Sequence, residues 1–153
     1  MANRVLVIDP HPARDSIAVE FVGNKVRGIY SISDTICCAN TLKYAKYTKV
    51  ILEDQWFGKN PKIMKDIAVT RGKYQGMAEL LGIPVSIIAP LEWNRYNFGS
   101  RPDKAKKIQA YLKAYELLGI KRSDDNAEDA ADCLFMYLAV TNKELEDIKP
   151  WKS

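Results

Sequence analysis

The chain has 153 residues, 47% of them apolar and 27% charged, with a formal net charge of +4; that suits one globular domain over 1–153 and is short for two. No apolar stretch is long enough to span a membrane, and the first residues enter a strand with no leader segment, so a cytoplasmic protein is expected. Three cysteines and one histidine lack the spacing of a disulfide framework or a zinc site, which leaves the thiols as small hydrophobes.

In chain order, RVLVID is a continuous apolar run closed by Asp-Pro, as in a buried strand. DSIAVEFVGNKVRGIYSIS is a hairpin turning at Gly23-Asn24. Asp34 caps a helix through TICCANTLKYAKY. TKVILED is a second buried strand, and QWFGKNPK is a loop. Pro61 starts a long helix that Gly82 ends. PVSIIAP is a further strand, LEWNRYNFGSR an aromatic and basic loop, and a helix follows from Pro102 or Asp103 to about Leu118. Asp124 or Asp125 opens the last helix, which runs to about Val140, and the tail is irregular. An opening meander followed by alternating strands and helices predicts an α/β fold, a mixed sheet flanked by helices.

The carboxylates are the chemically informative residues. Val5, Val7 and Asp9 share one strand face by the two-residue period, so Asp9 emerges where a sheet opens to ligands. Glu53 ends its own strand in the same way, and parallel pairing of the two strands makes the acids neighbours. In EDAADCLFMYLA, Asp125, Glu128, Asp129 and Asp132 fall within an arc of roughly 100°, beside an apolar stripe of Ala127, Ala131, Leu134 and Leu138. Asp54 points to the opposite face. Two carboxylates about 4 Å apart repel by roughly 4 kcal/mol at an effective dielectric near 20, so such a gathering calls for protons or cations. An all-oxygen set suits Mg²⁺ or Mn²⁺. Two ions, roughly 3.5–4 Å apart, activate water and stabilise the leaving 3′ oxygen of a phosphodiester.

Simpler roles exist for each acid. Asp9 before Pro10 is also a turn residue, and Asp124, Asp125, Glu128 and Asp129 also suit a helix N-terminus. Asp132, two turns in and beside apolar neighbours, is explained poorly that way. Between residues 59 and 107 ten basic residues outnumber four acidic ones, and residues 124–132 hold five acids and no base. A basic middle beside an acidic end suits a grip on a polyanion, or is a set of solvated helix faces. Trp56, Phe57, Trp93, Tyr96 and Phe98 lie among Lys, Arg and Asn, where aromatics either stack on unpaired bases or cap the core.

Taken together, VLVIDP, VILEDQWFGKN, TRGKYQGMAELLGIPVSIIAP, GSRPDKAKKIQAYL and EDAADCLFMYLA resemble, in the same order, segments of the RuvC family of Holliday-junction resolvases. The resemblance covers most of the chain and implies a ribonuclease H-like mixed five-stranded sheet flanked by helices. It implies a Mg²⁺-dependent endonuclease, with Mn²⁺ able to substitute, that holds two ions on Asp9, Glu53, Asp129 and Asp132. Lys104 matches a lysine that assists at the phosphate. A second such lysine is replaced by Asn94, with Arg95 adjacent to supply the charge. Trp56 or Phe57 matches an aromatic placed against bases at the junction centre; Lys59, Arg95, Arg101, Lys106 and Lys107 are the further DNA-binding expectations. His11 stands where the family has glycine, which alters the first turn. The implied partner is branched, four-way-junction DNA bound by a homodimer, with Ile67, Gly72, Met77 and Leu81 either forming its interface or covering the sheet. The resemblance suggests a short divergent viral or phage type. The alternatives are a non-catalytic branched-nucleic-acid-binding module, or a nuclease of the same fold acting on RNA or RNA–DNA hybrids. An actin-like kinase is disfavoured because the chain lacks glycine-rich phosphate loops.

Overall fold

The computed structural model describes residues 3–54 and 60–150. Its sheet has five strands: β1 (Arg4–Asp9), β2 (Ser16–Val22), β3 (Lys25–Ile32), β4 (Lys49–Glu53) and β5 (Val85–Ile88), in the spatial order β3-β2-β1-β4-β5. Strand β2 pairs antiparallel with both β3 and β1, whereas β1, β4 and β5 run parallel. This is the expected mixed sheet. Gly23, at φ 60°, accepts the positive dihedral that the two-residue turn between Val22 and Lys25 demands.

Helices cover both faces. Against one lie α1 (Thr35–Tyr44) and α2 (Pro61–Leu80), burying Leu6, Ile8, Val50 and Leu52 under Cys38, Leu42, Tyr74 and Ala78. Against the other lies α5 (Ala127–Thr141), backed by α3 (Pro90–Phe98) and α4 (Lys104–Leu118). Here Val5, Val7, Val19, Phe21 and Ile51 meet Leu134, Phe135, Tyr137 and Leu138. The alternation along β1 and β4 divides odd from even residues between the two cores, as the period of two requires. Helix α5 is buried over much more than one stripe, because the sheet, α3 and α4 close on it from different sides.

Three local expectations are corrected. LEWNRYNFGSR is mostly helical: Pro90 sits at the first position of α3, Glu92 is in its first turn, and Gly99 at φ 78° ends it. Pro90 therefore begins a helix as well as closing a strand. Helix α5 starts at Ala127 after Asn126, because Asp124 closes the preceding turn by accepting from the Lys121 amide at 3.0 Å. The tail is partly ordered: a 3₁₀ turn spans Leu145–Asp147, Ile148 is buried, and the Lys149 amide donates to the Asn24 carbonyl at 2.8 Å. Among the described residues, no helix is long and apolar enough to cross a membrane.

Candidate active site

Parallel pairing places Ile8 beside Leu52, so the next residues, Asp9 and Glu53, leave adjacent strands together at the same edge. Both lie on the face that carries α5, since Val7 and Ile51 belong to that core. Asp54 turns the other way and pairs with Arg71 of α2 at 3.4 Å. Helix α5 starts over the same edge and contributes Asp129 and Asp132 from its first two turns. One carboxylate oxygen from each of Asp9, Asp129 and Asp132 lies within 4.8 Å of the other two. Glu53 is not in that tight trio but joins it through a hydrogen bond between its carboxyl and that of Asp9. Chain segments more than a hundred residues apart thus place four acids at one spot.

The electrostatic consequence is large. Burial first, then the charges of Glu53, Asp132 and Asp129, hold Asp9 well above the ordinary carboxylate range. Burial raises Glu53 too, opposed by the hydrogen bonds it receives from Trp93 and Asp9. Asp132 is pushed up to about 7, by burial and then by neighbouring acids, against the bond from Tyr111. Shifts in this direction mean that Asp9, Glu53 and Asp132 favour a proton or another positive charge more than isolated acids do. A hard dication fits this donor set: the ligand atoms are all carboxylate oxygens, close-set, with no described Cys or His among them.

Three side chains orient the acids. The indole Nε1–H of Trp93 donates to Glu53 Oε2 at 2.6 Å, and Trp93 is only 4% exposed. The Tyr111 hydroxyl donates to Asp132 Oδ1 at 2.6 Å. Arg14 Nη2 lies 2.8 Å from Asp129 Oδ2. Outer partners of this kind fix ligand rotamers and tune ligand basicity. Arg14 belongs to the loop between β1 and β2, which the His11 amide anchors on the buried Ser16 hydroxyl at 2.9 Å. Burial, then Arg14, lowers the pKa of His11, and Asp129 opposes them, so His11 stands within electrostatic reach of the cluster.

Of the aromatics open to two roles, Trp93 and Phe98 take the core: Trp93 is buried, and Phe98 packs on Phe135 and Tyr111. Tyr96, 38% exposed, donates to the Lys143 carbonyl at 2.8 Å. Trp56, Phe57 and Lys59 lie outside the described residues. Lys104 and Lys107 line a cleft with Tyr111 and Glu128. Lys106, Arg95 and Arg101 are exposed. At Asn94 the neighbouring cation is Lys107, whose Nζ lies 3.4 Å from Asn94 Oδ1 and 5.1 Å from the Phe98 ring centre.

Tyr111 and Arg14 escaped the sequence reading. Tyr111 follows Lys104 and Lys107 at offsets of seven and four, which puts it on their helical face; that spacing was the available signal. Nothing in the local pattern singles out Arg14.

No protein-family model matches the chain, and no curated protein matches it in sequence. Solved structures do match. Thermus thermophilus RuvC in complex with a Holliday-junction substrate is 16% identical, with a TM-score of 0.68 over 92% of this chain and 95% of that one. A second T. thermophilus RuvC structure is 20% identical, with a TM-score of 0.63 over 92% and 97%. The chain therefore has the ribonuclease H-like fold in the form RuvC has.

Proposed function

We propose that this protein is a divalent-metal-dependent endodeoxyribonuclease that resolves four-way DNA junctions, working as a homodimer of single nuclease domains. The observation that carries the reading is the meeting of Asp9, Asp129 and Asp132 within 4.8 Å, with Glu53 bonded to Asp9, at the strand ends of this fold. The junction substrate is proposed because the matched RuvC structure contains one and aligns over nearly its whole length.

In this reading Asp9, Glu53, Asp129 and Asp132 hold two Mg²⁺ ions, with Mn²⁺ as a substitute. When bound, the ions supply an activated water and stabilise charge on the leaving 3′ oxygen. Trp93 and Tyr111 keep Glu53 and Asp132 aimed inward. Lys104 and Lys107 neutralise the phosphate that enters beside Tyr111, while Lys106, Arg95 and Arg101 hold flanking backbone, with Trp56, Phe57 and Lys59 in the same grip. A two-fold dimer suits a nearly symmetric junction cut on opposing strands. Helix α2 offers its surface, where Ile63, Val69 and Leu80 are exposed and Met77 instead packs on the sheet core.

The test is cleavage of a synthetic immobile junction in Mg²⁺, run beside flap, duplex and RNA–DNA hybrid substrates. Preferential symmetric cutting of the junction supports the reading. Tight binding without cutting in either metal favours a non-catalytic binding module, and preference for the hybrid moves the substrate to RNA. Sedimentation as a monomer with and without junction rejects the dimer.

A further inference from the structure

The cleft that Lys104 and Lys107 line beside the acids extends past the phosphate they neutralise, along α4. It lies between α4 and the start of α5, with a volume of about 460 Å³, inside the roughly 300–1,000 Å³ of sites that enclose a small molecule. Ile108, Leu112 and Tyr115, one face of α4, form an apolar wall, with Ile108 and Leu112 each 44% exposed. Lys104 and Lys107 stand toward the N-terminal end of that helix, and Arg122, from the turn beyond its C-terminus, lines the cleft as well. Glu128 is the one acid among the described lining residues. Tyr111 joins cleft to acids, since it lines the first and hydrogen-bonds Asp132 of the second.

An apolar wall about 10 Å long between two cationic ends matches a short unpaired run that presents flat bases between phosphates. Stacking on the Tyr115 ring contributes roughly 1–3 kcal/mol per base and tolerates any sequence, Ile108 and Leu112 extend the apolar contact, and lysine and arginine hold phosphates by releasing counterions. A helix from another protein would cover the apolar wall and leave the terminal cations without partners. Glu128 disfavours a phosphate in the middle of the cleft and offers an acceptor to base N–H groups.

We propose that this cleft is a subsite for a short unpaired run of the strand entering the acidic cluster, with a base on Leu112 and Tyr115 and backbone phosphates on Lys104 with Lys107 at one end and on Arg122 at the other. The proposal rests on the nuclease reading of the adjoining acids and adds a ligand position which that reading does not require. It gives the enzyme a means of preferring substrates with an unpaired nucleotide next to the cut.

The experiment measures binding of fluorescein-labelled hexathymidylate to the full chain in EDTA, with Mn²⁺ calorimetry and junction cleavage in parallel. Leu112→Glu, an exposed change checked for folding by circular dichroism, sets a carboxylate against the base and its phosphates and is expected to weaken oligonucleotide binding at least about fivefold, the lower bound for losing one stacked base. Arg122→Gln is expected to lower the salt slope by about one phosphate contact. Mn²⁺ binding by both variants stays as in the wild type. Wild-type protein that does not bind the oligonucleotide, or variants that bind it equally well, overturn the subsite and leave the nuclease reading standing. Binding that depends on Leu112 in a protein that cuts no DNA preserves the nucleotide subsite and overturns the nuclease reading. If Leu112→Glu changes the sedimentation coefficient and not oligonucleotide binding, the wall is a protein contact and the subsite falls.

Discussion

Among the described residues, one place buries a single carboxylate and another gathers several that are half-buried, and the two are built in opposite ways. On β2, Glu20 is 4% exposed, yet its Oε1 accepts from the Tyr47 hydroxyl at 2.7 Å and from the Tyr30 hydroxyl at 3.2 Å, with Arg4 3.8 Å from Oε2. One acid meets two donors and a cation. At the other end of the sheet, Asp9 meets Glu53, Asp129 and Asp132, and the shift that burial begins is enlarged by like charge. The lesson is that burial of an acid does not itself mark function. An acid supplied with donors is a satisfied part of the core, whereas acids supplied with one another await a counter-charge.

The most severe way to test this contrast is to remove one acid from each place. Asp9→Asn is expected to reduce junction cleavage by roughly a thousandfold or more, the scale of losing a principal electrostatic group at a reaction centre. Junction binding in EDTA stays within a few-fold, read by single-turnover kinetics beside a gel-shift titration. Cleavage and binding lost together would mean that Asp9 is structural. Glu20→Ala is expected to do the converse. It strands the buried Tyr47 hydroxyl and costs about 1–3 kcal/mol in urea denaturation, with Mn²⁺ affinity unchanged. The orienting bonds come next: Trp93→Phe removes the donor to Glu53 and is expected to weaken Mn²⁺ binding by about 10–100-fold, the usual cost of losing an outer partner of a metal ligand.

The sequence exposed the elements of this contrast unevenly. The strand period placed Asp9 and Glu53 on one face, and the same period sent Asp54 to Arg71. Helical spacing put Asp129 and Asp132 together. These are local regularities that survive without coordinates. Hidden were the partners from distant segments: Trp93, Tyr111 and Arg14 reach their acids across 40, 21 and more than a hundred residues. Helix α3 was missed because its asparagines and aromatics are weak helix formers, and what holds it is packing. Trp93 lies in the core, and the Asn97 amide donates to the Phe135 carbonyl at 2.9 Å. Glu20 gave no signal at all, since an acid in an apolar strand is read by its period as surface.

Protons sharpen the comparison further. Asp132, raised to about 7, and Asp9, raised well above its ordinary value, bind more protons in the folded chain than in the unfolded one over the interval above the usual carboxylate range. Stability from these groups is therefore complete below about pH 4 and is lost as pH rises through 7. Metal-free protein is expected to show a falling melting temperature from pH 5 to 8, and saturating Mn²⁺ is expected to remove that slope. Calorimetry in two buffers of different ionisation enthalpy should register proton release on metal binding, and Mn²⁺ affinity should rise through pH 7. A metal-free melting temperature that climbs over this range would mean that the acids of the cluster are compensated by other groups of the protein.

The smallest effect concerns Arg14, the one cation paired with the cluster among the described residues. Its partner Asp129 Oδ2 is a candidate metal ligand, and the guanidinium is about half exposed. An ion pair this accessible contributes roughly 0–1 kcal/mol, so its loss should barely move stability. Metal binding responds differently, because Arg14 competes for the same oxygen and repels an arriving dication. Arg14→Gln is expected to tighten Mn²⁺ binding about three- to fivefold at low salt, the equivalent of at most about 1 kcal/mol. The gain should shrink as salt screens the exposed charge. Weaker binding in the variant would carry the opposite meaning: Arg14 then acts as Trp93 and Tyr111 do, holding Asp129 in a ligating rotamer. The sign of this small change thus decides whether the loop after β1 obstructs the metal site or completes it.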